Sequence, residues 1–101
     1  MKLTQEEARL ARAALEVAFL KVGSATEMAR LLGIAYQATQ QWRAKGRAPA
    51  DRVEEIERLS GVSIAVLRPD LARRAREREA LMAARQERAA LRQERAALRA
   101  A

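Results

Sequence analysis

The 101-residue chain has no cysteine and no histidine. That removes disulfides, thiol chemistry, the usual zinc ligand sets and the commonest general base. Only three aromatic residues occur, Phe19, Tyr36 and Trp42, too few for the stacking platforms that read single-stranded RNA. No apolar run approaches the roughly 20 residues of a membrane span. The opening MKLTQEEARLARA reads as a capped, charged helix and not as a signal peptide, so the simplest expectation is a soluble cytoplasmic protein. There is no Ser/His/Asp or Cys/His set, no Gly-rich phosphate loop and no metal-ligand cluster. We therefore expect no catalysis, no cofactor and no metal site.

What is present is apolar or charged. Hydrophobic residues make up 50% of the chain but aromatics only 3%. The apolar share is thus mainly alanine and leucine, which favours an all-helical fold. The length suggests a single domain with one modest core. The formal net charge is +7 and the isoelectric point is near 11.2, which suits a polyanionic partner. Residues 1–70 hold 11 Lys/Arg against 9 Asp/Glu, and residues 71–101 hold 9 against 4. The surplus is concentrated at the C-terminal end.

Thr4 and Glu7 have the spacing of a capping box, which predicts a first helix from about Gln5. Leu10, Ala11, Ala14, Leu15, Ala18 and Phe19 recur at the spacing of one buried face, and Gly23 ends the run. Ser24 and Glu27 form a second capping-box pair. A second helix is predicted near 25–32 and a third near 35–44, separated at Gly33. Gly46 and Pro49 mark a turn, and a fourth helix near 50–60 would bury Val53, Ile56 and Leu59, leaving Glu54, Glu55 and Glu57 solvated. Val62–Leu67 fits a short strand or a helical turn capped by Ser63. Asp70 is placed to cap a last helix that runs to the end of the chain.

Residues 24–47 carry the functional signal. A short helix, a glycine turn and a second short helix form the layout by which a helix-turn-helix places a helix in the major groove. On the second helix Ala38 and Trp42 share the inner side, and Tyr36, Gln37, Gln40 and Gln41 the outer side. Glutamine is a bidentate partner for adenine, and Tyr36 either reaches a base edge or packs beside Ile34. Arg43, Lys45 and Arg47 suit phosphate contacts, as do Ser24 and Thr26 at the start of the preceding helix. These residues point to double-stranded DNA as the partner. The bland alternative is a helical hairpin with a polar face.

Beyond Asp70 there is neither glycine nor proline, and RQERAAL at 85–91 repeats at 92–98. A seven-residue period is that of a coiled coil. With Leu91, Leu98 and Ala84 at d, Leu81, Arg88 and Arg95 fall at a. Glu87 and Glu94 would then face Arg92 and Arg99 of a second chain. Leu81, Ala84, Leu91 and Leu98 are accordingly the expected homodimer seam. Two further readings stay open: a solvated helix without a partner, and a basic arm or docking segment for DNA or another protein.

The segments GSATEMARLLGIAYQATQQWRAKGR (23–47), VEEIERLSG (53–61) and LRPDL (67–71), with Pro49, resemble the Cro-type prophage regulators. The likeness is greatest to the YdaS-like group of helix-turn-helix antitoxins, and it covers about half the chain. It implies a compact helical repressor-like domain acting as a transcriptional repressor. We expect four to five helices for this domain, over residues 1–70, with residues 71–101, on which the resemblance is silent, as a helical extension. It places base readout on Tyr36, Gln37, Gln40 and Gln41. Ala35 stands where the group often has a capping Ser or Thr, Thr39 where it has an aliphatic residue, and Ala25 where it often has Gln. We expect the Thr39 hydroxyl to bond the Ala35 carbonyl. The rival expectation is an antitoxin or interaction protein whose C-terminal helix binds a protein partner.

Overall fold

The computed structural model describes residues 3–100. Among them are six helices and no strand: α1 (Gln5–Val22), α2 (Ala25–Leu32), α3 (Tyr36–Lys45), α4 (Val53–Ser60), α5 (Ile64–Leu67) and α6 (Pro69–Ala100). The fold is all-α, with a long C-terminal helix.

The Thr4 box forms in full. Glu7 N–H donates to Thr4 Oγ1 at 3.1 Å and Thr4 N–H to Glu7 Oε1 at 2.9 Å. The Ser24 box forms by half. Ser24 Oγ accepts from Glu27 N–H at 3.0 Å, but the Glu27 carboxylate turns away to pair with Arg30. α4 is shorter than the sequence suggests, because residues 50–52 form a turn after Pro49. The ambiguous apolar run is helix α5, capped by Ser63 Oγ accepting from Ala65 N–H at 3.1 Å. Pro69 opens α6, a position where its missing N–H costs nothing.

α1 lies against α2, α4 and α5, and α2 packs on α3. The core is built on Leu15, Phe19, Met28, Ile56 and Leu67, all essentially inaccessible, with Ala11, Ala14 and Ala18 letting the neighbours approach α1. Each large side chain contributes about 1.5–3 kcal/mol on burial. Two expected core residues are outside it: Leu10 and Leu59 are 45% and 41% exposed. At 100° per residue the buried arc of α1 runs from Ala14 through Leu15 to Phe19, and Leu10, about 140° from Leu15, falls beyond its Ala14 side. Glu57 is not merely solvated, since its carboxylate accepts from Ile64 N–H at 2.7 Å and ties α4 to α5.

Asp70 does not serve as a helix N-cap. It lies within α6, 3% exposed, and is paired with Arg68. Arg68 Nε and Nη2 donate to its two carboxylate oxygens at 3.0 and 2.9 Å, and Nη1 donates to Ala48 O at 2.8 Å. The Arg68 guanidinium thereby holds the Asp70 carboxyl below the usual carboxylate range. A second tie, the ion pair of Arg73 with Glu7, joins α6 to the start of α1. From Arg74 onward every described residue of α6 except Ala84 is exposed. The helix extends as a rod of about 48 Å, which makes the molecule 68 Å long but only 29 by 18 Å across.

Candidate nucleic-acid interface

α2 ends at Gly33, whose left-handed backbone (φ 68°) reverses the chain while its N–H and that of Ile34 close on Ala29 and Arg30 carbonyls. This is the C-terminal signature for which glycine is preferred. Three residues later α3 begins at Tyr36. Ala35 makes no side-chain cap there. Thr39 is fully buried in α3 and its hydroxyl donates to Tyr36 O at 2.8 Å. The bond reaches back three residues, not the four expected to Ala35, and it lets a polar side chain sit in the core.

The far end of α3 is fixed from α1. Gly46 takes φ 77° and closes on Trp42 and Arg43 carbonyls. Arg12 Nη1 donates to Arg43 O at 3.2 Å, and a Cβ on Gly46 would lie only 2.5 Å from the Arg12 guanidinium. Trp42 is buried at 8% exposure and Ala38 half-buried, which makes this side of α3 the packed one.

Gln37, Gln41 and Lys45, spaced four apart, form an exposed line along the outside of α3. Two clefts flank it. One, of about 250 Å³, lies where the end of α1 and the start of α2 meet α3. Ser24, Thr26, Tyr36, Gln40 and Arg43 all line it. The other, of about 210 Å³, is bordered by Gln41, Lys45, Arg47, Pro49 and Arg68. The residues expected to contact DNA therefore gather on one side of the molecule.

Their individual states differ from a uniform exposed row. Tyr36 is 47% exposed and Gln37, Gln41, Lys45 and Arg47 are open. Gln40 is half-buried, and its Nε2 is enclosed without a hydrogen-bond partner. Arg43 is engaged internally: Nε donates to Glu16 Oε1 at 2.6 Å and Nη2 to Oε2 at 3.2 Å, while the guanidinium lies 5.0 Å from the Phe19 ring centre. The carboxylate raises its affinity for the proton and offsets its charge. Ser24 Oγ is occupied by the Glu27 N–H and Ser24 O by the Met28 N–H. That leaves the amides of Ala25 and Thr26 as the ones in the first turn of α2 without a helical partner, and both residues line the same cleft. At the seam expected for pairing, Leu81, Leu91 and Leu98 are 54%, 48% and 73% exposed, and Ala84 is half-buried.

Sequence reasoning missed Arg12, Glu16 and Arg68. Their partners lie 31, 27 and 20 residues away, so no local spacing announces them. A partial signal existed only for Arg68, two residues from Asp70 in LRPDL.

The fold and this surface define an all-helical protein with a helix–turn–helix layout over α2 and α3. The model of the bacterial toxin YdaS family matches residues 15–76, and the chain belongs to that family. The match spans both clefts and ends within the second turn of α6. The family's description names a toxin, whereas the group resembled on sequence is one of antitoxins. No curated protein and no solved structure matches the chain. Among the described residues no helix is long and apolar enough to cross a membrane.

Proposed function

We propose that this protein is a sequence-specific DNA-binding transcriptional regulator of the Cro-like kind, with α3 as its major-groove helix. The observation that carries the reading is the single surface formed by the line Gln37–Gln41–Lys45 and the cleft of Ser24, Thr26, Tyr36, Gln40 and Arg43. A groove edge meeting Gln37 and Gln41 supplies amide-to-base pairs. A phosphate at the start of α2 meets free backbone amides and the positive end of the helix. An acceptor entering the cleft would also satisfy Gln40 Nε2, whose isolation otherwise costs about 1–3 kcal/mol. Lys45 and Arg47 fix the register on the backbone, and Arg43 shapes the cleft through Glu16.

Selection of bound duplexes from a random pool tests this. An enriched motif is expected. Gln41→Ala should lower preference for that motif by about 1–3 kcal/mol with little change on random DNA. Lys45→Gln or Arg47→Gln should weaken all sequences alike and flatten the salt slope by about one unit each. Failure to enrich any motif would sink the proposal. If two copies bind together, the motif will be a palindrome with half-sites about 34–36 Å apart.

A second reading is a toxin or antitoxin acting through a protein partner. It draws on the family's description and on the exposed Leu10, Val17 and Leu20 along α1. Co-purification of one defined protein with the full chain, lost on Val17→Lys, would favour it.

A further inference from the structure

α6 carries nine arginines, and seven of them share one face. At 100° per residue, Arg74, Arg78, Arg85, Arg88, Arg92, Arg95 and Arg99 fall within an arc of about 100°. Glu77 lies at the edge of that arc, and Glu79, Glu87 and Glu94 lie off it. All seven arginines are exposed, and none makes an ion pair or hydrogen bond among the described residues. Several are like-charged neighbours at i and i+3 or i+4, such as Arg88, Arg92 and Arg95. That arrangement disfavours an isolated helix and stands to gain from a polyanion. Around Leu91 these three border a shallow groove of about 200 Å³.

We propose that this ridge is a second DNA-binding surface, which tracks the phosphate backbone beside the site occupied by α3. The inference rests on the reading of α3 as a DNA-binding helix, because that helix sets where the ridge begins. Arg68, at the root of α6, borders the same cleft as Lys45 and Arg47 and bonds the Ala48 carbonyl. The Arg73–Glu7 pair then fixes the helix against the domain. The ridge thus starts at the basic corner of the proposed interface and runs about 38 Å, the length of roughly 11 base pairs. A bilayer is the poorer fit. The opposite face holds Glu79, Glu87 and Glu94 among Ala83, Ala90 and Ala97, with no bulky apolar side chain to insert. A parallel coiled coil would place Arg88 and Arg95 of two chains against each other at a positions. The ridge lies largely beyond residue 76, where the family match ends.

The test uses the full chain, a random-sequence duplex of roughly 30 base pairs and a salt titration. Replacing Arg88, Arg92 and Arg95 with Gln should flatten the slope of log affinity against log salt by roughly two to three units. Lysine at the same three positions should keep most of the slope. Replacing Arg9, Arg30 and Arg58, which removes the same charge elsewhere, should change it far less. An unchanged slope in the glutamine triple overturns the proposal. So does a loss equal to that of the Arg9, Arg30 and Arg58 control. Sedimentation is run on the same samples, and a slope change that follows only from lost self-association also overturns it. Ridge-dependent binding to anionic vesicles with an unchanged DNA slope would assign the ridge to membranes instead. The α3 reading fails on a different readout, the absence of an enriched motif, so the two can fall separately.

Discussion

α1 and the outer part of α6 are made of nearly the same residues, yet one is a wall of the core and the other touches nothing. α1 sets Ala11, Ala14, Leu15, Ala18 and Phe19 on one arc, and all five are buried. α6 beyond Arg73 offers a large aliphatic residue about once per seven, with arginine on the intervening turns. One leucine per heptad does not remove enough apolar area from water to offset the ordering of neighbouring side chains. Alanine-rich composition secures the helix in both regions. Packing is decided by whether the bulky residues recur within one arc.

The largest effect that would break this contrast lies at the joint. Asp70→Asn leaves the Arg68 guanidinium buried without its counter-charge, and should cost about 3–5 kcal/mol, read as a lower denaturant midpoint. The wild-type pH profile carries the same signature. The Arg68 hydrogen bonds lower the Asp70 pKa in the folded state. Their stabilisation is therefore complete above the unfolded value near 3.9 and is lost as pH falls through the lower folded value. The variant should lack that component of the acid-side decline, and a variant curve parallel to wild type would remove the pair from the account.

Gly46→Ala comes next. The left-handed backbone costs a residue with a Cβ roughly 1–2 kcal/mol, and Arg12 must move aside. A lower melting temperature is expected, along with weaker DNA binding through a displaced α3 C-terminus. Unchanged melting would show that the Arg12 clamp is unimportant.

Thr4→Ala should cost about 1 kcal/mol by removing the cap of α1, measured by chemical denaturation. The smallest effect belongs to the tail. Replacing Leu91 and Leu98 with Lys should leave the stability of the globular part within about 0.5 kcal/mol and should not lower affinity for random DNA. A concentration-dependent midpoint in wild type, lost in this double variant, would mean that the expected dimer seam is formed and that α6 is packed after all.

Much of this protein was readable without coordinates. Capping residues, glycine stops and the 3.6-residue spacing of alanine and leucine determine five of the six helices to within a few residues, because those signals act over one or two turns; α5 was too short for them to separate a helical turn from a strand. The grouping of Tyr36, Gln37, Gln40 and Gln41 on one helix and of Arg43, Lys45 and Arg47 just after was legible for the same reason. What each of those side chains is free to do was not. Glu16 captures Arg43 across 27 residues, Gln40 sinks half into a cleft, and Arg12 clamps the end of α3. Asp70 moves from an expected cap to a buried pair, because the chain returns Ala48 to Arg68. Such contacts depend on where separate helices cross. One-dimensional spacing carries the direction of a side chain on its own helix, and only the packed core sets what stands opposite it.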